Sequence, residues 1–272
     1  MRVLYEYCEK GESSVNEDIY GVCGSYAWVI DGATDVFKAQ SLFPQNEVSQ
    51  YVTLLNKKLI QLSGDMAPAH EALLLDKAIT DLYAELNSSH SLDLVPEFIL
   101  PTFAIAIISQ CGNTVSYFIL GDCFFSTLSP LGTLLYTDKR IAKFSKENRR
   151  MIKEHYKTHR SPIAVERFQA VRAMANSSDG YPIGSVRGTG IKSAITGTIE
   201  LVKNKRILLC SDGFLDYFKQ NCLRNRNFFY EETIESEIIK AELFAKNEAL
   251  FENNPRPKKL DDRTLLLLEM ET

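Results

Sequence analysis

The chain has 272 residues, 45% hydrophobic and 24% charged, which suits one large globular domain or two modest ones, with an ample core. A net charge of −4 gives no basic surplus for nucleic acid or an acidic membrane. The six cysteines (8, 23, 111, 123, 210 and 222) lack metal-ligand or redox spacing, no signal-peptide layout opens the chain, and no apolar run reaches membrane-spanning length; buried reduced thiols in a cytoplasmic protein are expected.

In chain order, residues 2–8 and 19–31 read as β. Val3, Tyr5 and Tyr7 alternate, and Tyr26-Ala27-Trp28-Val29-Ile30 is a continuous apolar run. That run stops at Asp31-Gly32, the pattern of a buried strand that carries a carboxylate to the rim of a core and then turns. A polar loop before it ends in Asn16-Glu17-Asp18. Two helices follow. Residues 47–62 place Val48, Tyr51, Val52, Leu55, Leu59 and Leu62 on one face; residues 69–86 do the same with Ala72, Leu75, Ile79, Leu82 and Leu86. Gly64-Asp65 and Pro68 separate them, which predicts an antiparallel pair packed on a sheet.

Short β runs at 102–109, 114–120, 124–128 and 133–136 are joined by tight turns at Cys111-Gly112-Asn113 and Ser129-Pro130-Leu131-Gly132. Links this short require antiparallel pairing. Strands, then helices, then strands argue for helices packed on antiparallel sheets, not a parallel doubly wound fold.

Residues 138–190 change character and read as an insertion or small subdomain. Lys139, Arg140, Lys143, Lys146, Arg149, Arg150, Lys153, Lys157 and Arg160 fall on one helical stretch. The first reading is a solvated helical face; the second is a basic flank that speeds encounter with an anionic substrate. His155 and His159 stand one turn apart without the Glu of a zincin, so a structural or surface pair is expected. The glycines at 180–190 neither follow a strand nor open a helix, which makes a poor phosphate loop. Strands are expected at 194–202 and 206–210, with Asp212 and Asp216 one helical turn apart beyond them. A helix over 234–251 is expected to turn Ile238, Ile239, Leu243 and Phe244 inward, and Asp261-Asp262-Arg263-Thr264 opens the last apolar run, Leu265 to Leu268.

Acids thus sit at strand ends throughout: Glu17 and Asp18, Asp31, Asp122 after Tyr117-Phe118-Ile119-Leu120-Gly121, Asp212, and Asp261. Gathered carboxylates repel one another unless cations lie among them, and hard divalent ions such as magnesium or manganese take oxygen ligands of this kind. A carboxylate-lined site for two or more ions is the first functional expectation.

The motifs Asn16-Glu17-Asp18, Val29-Ile30-Asp31-Gly32, Leu120-Gly121-Asp122, Cys210-Ser211-Asp212-Gly213-Phe214-Leu215-Asp216 and Asp261-Asp262-Arg263-Thr264, in this order, resemble the metal-dependent type 2C (PPM-type) protein serine/threonine phosphatases over nearly the whole chain. The resemblance implies an α+β fold: a four-layer α-β-β-α sandwich of two antiparallel sheets flanked by helices, as a single catalytic domain over 1–272. The insertion at about 138–190 falls where the family carries its flap. It implies two Mn2+ or Mg2+ ions, with a weaker third, in a cleft at one end of the sandwich. It also implies hydrolysis of phosphoserine or phosphothreonine in a phosphoprotein by a metal-bridging hydroxide, from a monomer.

By motif, the resemblance makes Asp31, Asp212 and Asp261 catalytic. Asp31 bridges both ions, the Gly32 carbonyl and Glu17 complete one, and Asp212 and Asp261 complete the other. Asp18 supports the site through waters. Asp122 and Asp216, with Asp212, match the third-metal site, and Thr102 matches a strand-initial Thr near the substrate. Two positions depart from the pattern. Many members grip the substrate phosphate with an Arg where this chain has Ser13, leaving Lys10 or the metals to do so. Eukaryotic-type members place a general-acid His where this chain has Ala33, and in that departure the chain resembles shorter bacterial-type sequences. A small-molecule phosphomonoesterase and a catalytically weak regulatory or binding module of the same fold are the alternatives.

Overall fold

The computed structural model describes residues 1–38, 42–151, 162–201, 206–222, 226–247 and 260–271. Among them one sheet runs in the order β1 (Arg2–Glu9), β11 (Arg263–Glu269), β10 (Arg206–Cys210), β6 (Phe124–Ser129), β7 (Gly132–Thr137). The other runs β2 (Asp18–Cys23), β3 (Tyr26–Ala33), β4 (Thr102–Cys111), β5 (Thr114–Leu120), β9 (Ile195–Glu200), with the short β8 (Gly184–Ser185) also paired to β4. Neighbouring strands are antiparallel throughout.

Alternation along the central strands explains why they read as unbroken apolar runs: both faces are covered. On β3, Tyr26, Trp28 and Ile30 face the helix pair α1 (Glu47–Ser63) and α2 (Glu71–His90), while Ala27 and Val29 face the second sheet. On β11, Leu266 and Leu268 join that inter-sheet core, and Leu265 and Leu267 turn outward onto α6 (Glu231–Lys246). The layers are therefore helix, sheet, sheet, helix. A buried hydrogen bond from Trp28 Nε1 to Asn56 Oδ1, at 2.7 Å, fixes α1 to β3.

Three expectations shift. The β stretch at 19–31 is a hairpin, β2 and β3, because Gly24 (φ +59°) turns the chain. On α6 Ile234, Ile238, Ala241 and Ala245 are buried and Phe244 packs partly buried against the same core, whereas Ile239 and Leu243 are 53% and 64% exposed. The apolar stripe on that helix is wider than the face the sheet covers. The helix ends at Lys246, and the expected continuation to 251 lies outside the described residues, as do Lys153, His155, Lys157, His159 and Arg160. Residues 138–190 contain α3 (Ala142–Met151) and α4 (Pro162–Ala173) around a small core of Phe144, Val171, Tyr181 and Ile183.

Candidate metal centre

Register brings the acids to one end of the sandwich. Asp18 pairs with Asp31 across β2–β3, and Ala104 lies opposite Asp31 on β4. Asp31 continues the Ala27–Val29 face, so its side chain emerges where the inter-sheet core reaches its rim. Ala104 is small at that point, and Gly121 follows β5 with φ +83°. A Cβ on Gly121 would stand 2.6 Å from the Ala104 Cβ, so only glycine makes this turn and lets Asp122 approach Asp31.

The second sheet supplies Asp212. The Thr264 amide donates to Ser211 Oγ (2.9 Å) and the Ser211 amide donates to the Thr264 carbonyl (3.0 Å), which locks the exit of β10 against the start of β11. One carboxylate oxygen each from Asp31, Asp122 and Asp212 then lies within 4.8 Å of the other two.

Such a cluster is electrostatically unfavourable when all three are charged. Burial, then the charges of Asp18, Asp212, Asp122 and Asp261, push Asp31 well above the usual carboxylate range. Burial, then Asp122, Asp261 and Asp18, do the same to Asp212. Asp122 is pushed up to about 6, first by burial and then by Asp261 and Asp138, with Lys219 offsetting part of the rise. Asp18 is pushed up to about 8, chiefly by burial. The Ser211 and Thr264 hydroxyls stand near enough to ease that burial, but neither Asp18 oxygen has a hydrogen bond of good geometry. Asp31, Asp122 and Asp212 each keep part of their surface open. An all-oxygen cluster with orphaned buried carboxylate oxygens beside it fits hard divalent cations.

The two neighbouring acids of the last motif divide their roles. Asp262 is buried; Oδ1 accepts from the Gly11 amide (2.7 Å) and Oδ2 from the Glu17 amide (2.8 Å), so it fastens the 11–17 loop. Asp261 bears on the cluster, adding its charge to the upward pressure on Asp31, Asp122 and Asp212. Glu17 lies beside the three-acid cluster rather than in it: its Oε2 accepts from the Thr34 hydroxyl (2.8 Å) and its carbonyl accepts from the Gly32 amide (3.0 Å). A Cβ on Gly32 would meet that carbonyl at 2.6 Å, so the close crossing requires glycine.

Other expected positions are placed differently. Asp216 does not join Asp122 and Asp212; its Oδ2 lies 3.3 Å from Arg149 Nη2 of α3. Lys10 is exposed and its ammonium donates to the Ser14 carbonyl of its own loop (3.2 Å), while Ser13 beside it is half-buried. Thr102 is buried opposite Ala33, and its Oγ1 has no hydrogen-bond partner among the described residues.

Contacts from 138–190 are the part that sequence reasoning missed. Ala33, where the resemblance to eukaryotic-type members would put a His, packs instead against the cluster of Phe144, Val171, Tyr181 and Ile183. Arg172 Nη2 donates to the Thr34 carbonyl (3.2 Å) and Gln169 Nε2 to the Val36 carbonyl (3.0 Å). Both hold α4 beside the chain leaving β3. Nothing in their spacing singles them out from the other polar residues of α4, since the partner of each is main chain.

No protein-family model matches the chain, and no curated protein is significantly similar to it. Solved structures do share its fold. A serine/threonine phosphatase from Staphylococcus aureus superposes with a TM-score of 0.60 at 14% identity, over 98% of this chain and 94% of that one. The Mycobacterium tuberculosis serine/threonine phosphatase PstP gives 0.57 at 14% identity over 98% of each chain. The catalytic domain of PstP in complex with two manganese ions gives 0.56 at 15% identity, over 97% of this chain and 96% of that one.

Proposed function

We propose that this chain is a metal-dependent phosphatase that hydrolyses phosphoserine and phosphothreonine in proteins. The observation that carries the reading is the convergence of Asp31, Asp122 and Asp212 to within 4.8 Å at one end of a sandwich shared with serine/threonine phosphatases. Asp31, Asp212 and Asp261, with Glu17 and the Gly32 carbonyl, would hold two Mn2+ or Mg2+ ions. When bound, such ions neutralise a phosphomonoester dianion and make water acidic enough to act as a nucleophile at neutral pH.

The chain's own residues set the rest. Asp31 lies within reach of Asp122 and of Asp212 from the second sheet, so it would help hold the ions with them. Burial pushes Asp18 up to about 8, which favours its protonated form in the metal-free chain, and a bound cation nearby would favour the ionised one. Asp262 keeps the 11–17 loop against the cluster and so fixes Glu17. Arg149 of α3, at Asp216, and Arg172 of α4, at the Thr34 carbonyl, bring positive charge to the chain on either flank of the cluster, and such charge favours an anionic phosphopeptide over neutral ligands. A side-chain general acid at Ala33 has no place in this reading.

The test is turnover of phosphoserine and phosphothreonine peptides with manganese, with magnesium and after exhaustive chelation. Activity that requires the added ion and prefers phosphopeptides over small phosphomonoesters supports the proposal. Turnover that persists in chelator, or none with either ion, refutes it.

A further inference from the structure

The resemblance assigns Asp216, with Asp122 and Asp212, to a third metal. The corner around Asp216 does not fit one. Arg149 Nη2 lies 3.3 Å from Asp216 Oδ2, with the two side chains 30% and 27% exposed. A guanidinium at that distance gives a carboxylate its counter-charge and directional donors together. Asp122 is turned instead to Asp31 and Asp212, and Lys219 stands close enough to ease the repulsion on it. Of the three acids assigned to the third ion, Asp216 is therefore already paired with a cation of the chain itself, and Asp122 feels the charge of Lys219. A divalent ion at Asp216 would compete with Arg149 for the carboxylate.

We propose that Arg149 takes the place of a third metal at Asp216, leaving a two-ion centre, and that the ion pair latches α3 beside the cluster. The inference rests on the metal-dependent reading above. The fold makes the latch two-sided. Phe144 of α3 packs with Val171, Tyr181 and Ile183, and that cluster holds Ala33, two residues beyond Asp31. Arg149, further along the same helix, reaches Asp216, four residues beyond Asp212. One helix thus touches the chain on both flanks of the acids, once by apolar packing and once by charge. Arg149 is a positioning residue in this account: it acts on the site through Asp216 and α3.

Manganese titration calorimetry and hydrogen exchange of the 142–151 amides test this on the full chain. Wild type should bind two ions. Arg149→Ala should bind three and exchange its α3 amides roughly 3- to 10-fold faster without metal, the range that loss of a half-exposed ion pair permits. The double variant Arg149→Ala/Asp216→Asn should return to two ions with fast exchange, and Arg149→Lys should keep two ions with near-wild-type exchange. Because Arg149 is partly exposed, each variant should keep its cooperative melt. Three ions in wild type with one lost in Asp216→Asn, or two ions and unchanged exchange in Arg149→Ala, overturns the latch while leaving the phosphatase reading intact. No manganese bound to any of the proteins overturns that reading and the latch with it.

Discussion

Asp31 is where charge, burial and geometry meet. Its neighbours Asp18, Asp212, Asp122 and Asp261 all raise the cost of its ionised form. Asp31→Asn keeps the shape and removes one negative charge. Without metal, the melting temperature should hold or rise, because repulsion in the cluster falls. With manganese, affinity should drop and turnover should fall by roughly two orders of magnitude or more, the scale set by losing a group that organises metal-assisted attack. Calorimetric titration beside melting curves checks this; near-wild-type manganese affinity would remove Asp31 from the bridging position. Asp262, next to Asp261 in sequence, predicts the opposite. Asp262→Ala leaves the Gly11 and Glu17 amides without their acceptor, a loss of about 2–5 kcal/mol for two hydrogen bonds to a charged group. Chemical denaturation should show that loss with or without manganese. A variant that loses manganese affinity but no metal-free stability would instead make Asp262 a ligand.

At the scale of the element, α6 shows why an apolar pattern alone misassigns a face. Ile238 and Ile239 are adjacent and equally hydrophobic, and only the placement of the helix over Leu265 and Leu267 decides which is covered. Ile238→Ala should cost about 2–4 kcal/mol, as a buried large-to-small change does. Ile239→Ser should stay within about 0.5 kcal/mol. Equal losses at both positions, measured by denaturation, would reverse the assigned face. The same logic governs 138–190. Its basic residues read in sequence as a solvated surface, and several are, yet Arg149 reaches Asp216 and Arg172 reaches the Thr34 carbonyl. An exposed cation and one that spans to a distant acid look alike until the helix is docked.

For the whole molecule, the acid cluster sets how stability responds to pH and metal. Asp31 and Asp212 are raised well above their ordinary value, Asp122 to about 6 and Asp18 to about 8. Between about pH 4 and pH 8 the folded metal-free chain therefore holds protons that the unfolded chain has released. Stability rises with pH only where the unfolded state binds more protons, so here it should fall as pH rises through that window, on the order of a few kcal/mol in total. Manganese reverses the sign of the demand, since its ligands must be ionised, and its stabilisation should grow with pH. Melting curves from pH 5 to pH 8, in chelator and in manganese, test this; a chelated protein whose melting temperature climbs with pH would contradict the buried cluster.

Local features are legible along the chain: strands that read as apolar runs, the helix pair, and the order of acids at strand ends. These follow from periodicities of 2 and 3.6 and from Gly and Asp at turns, which act over a few residues. The assembled fold settles which acids share a space. Asp31, Asp122 and Asp212 are separated by about ninety residues at each step, and register within one sheet together with the packing of the second sheet on it brings them within 4.8 Å. It also decided that Asp262 ties a loop, that Asp216 faces Arg149, and that Ala33 anchors α3 and α4. Those outcomes depend on how packed elements dock, and docking is set by the summed burial of three cores rather than by any short stretch of chain.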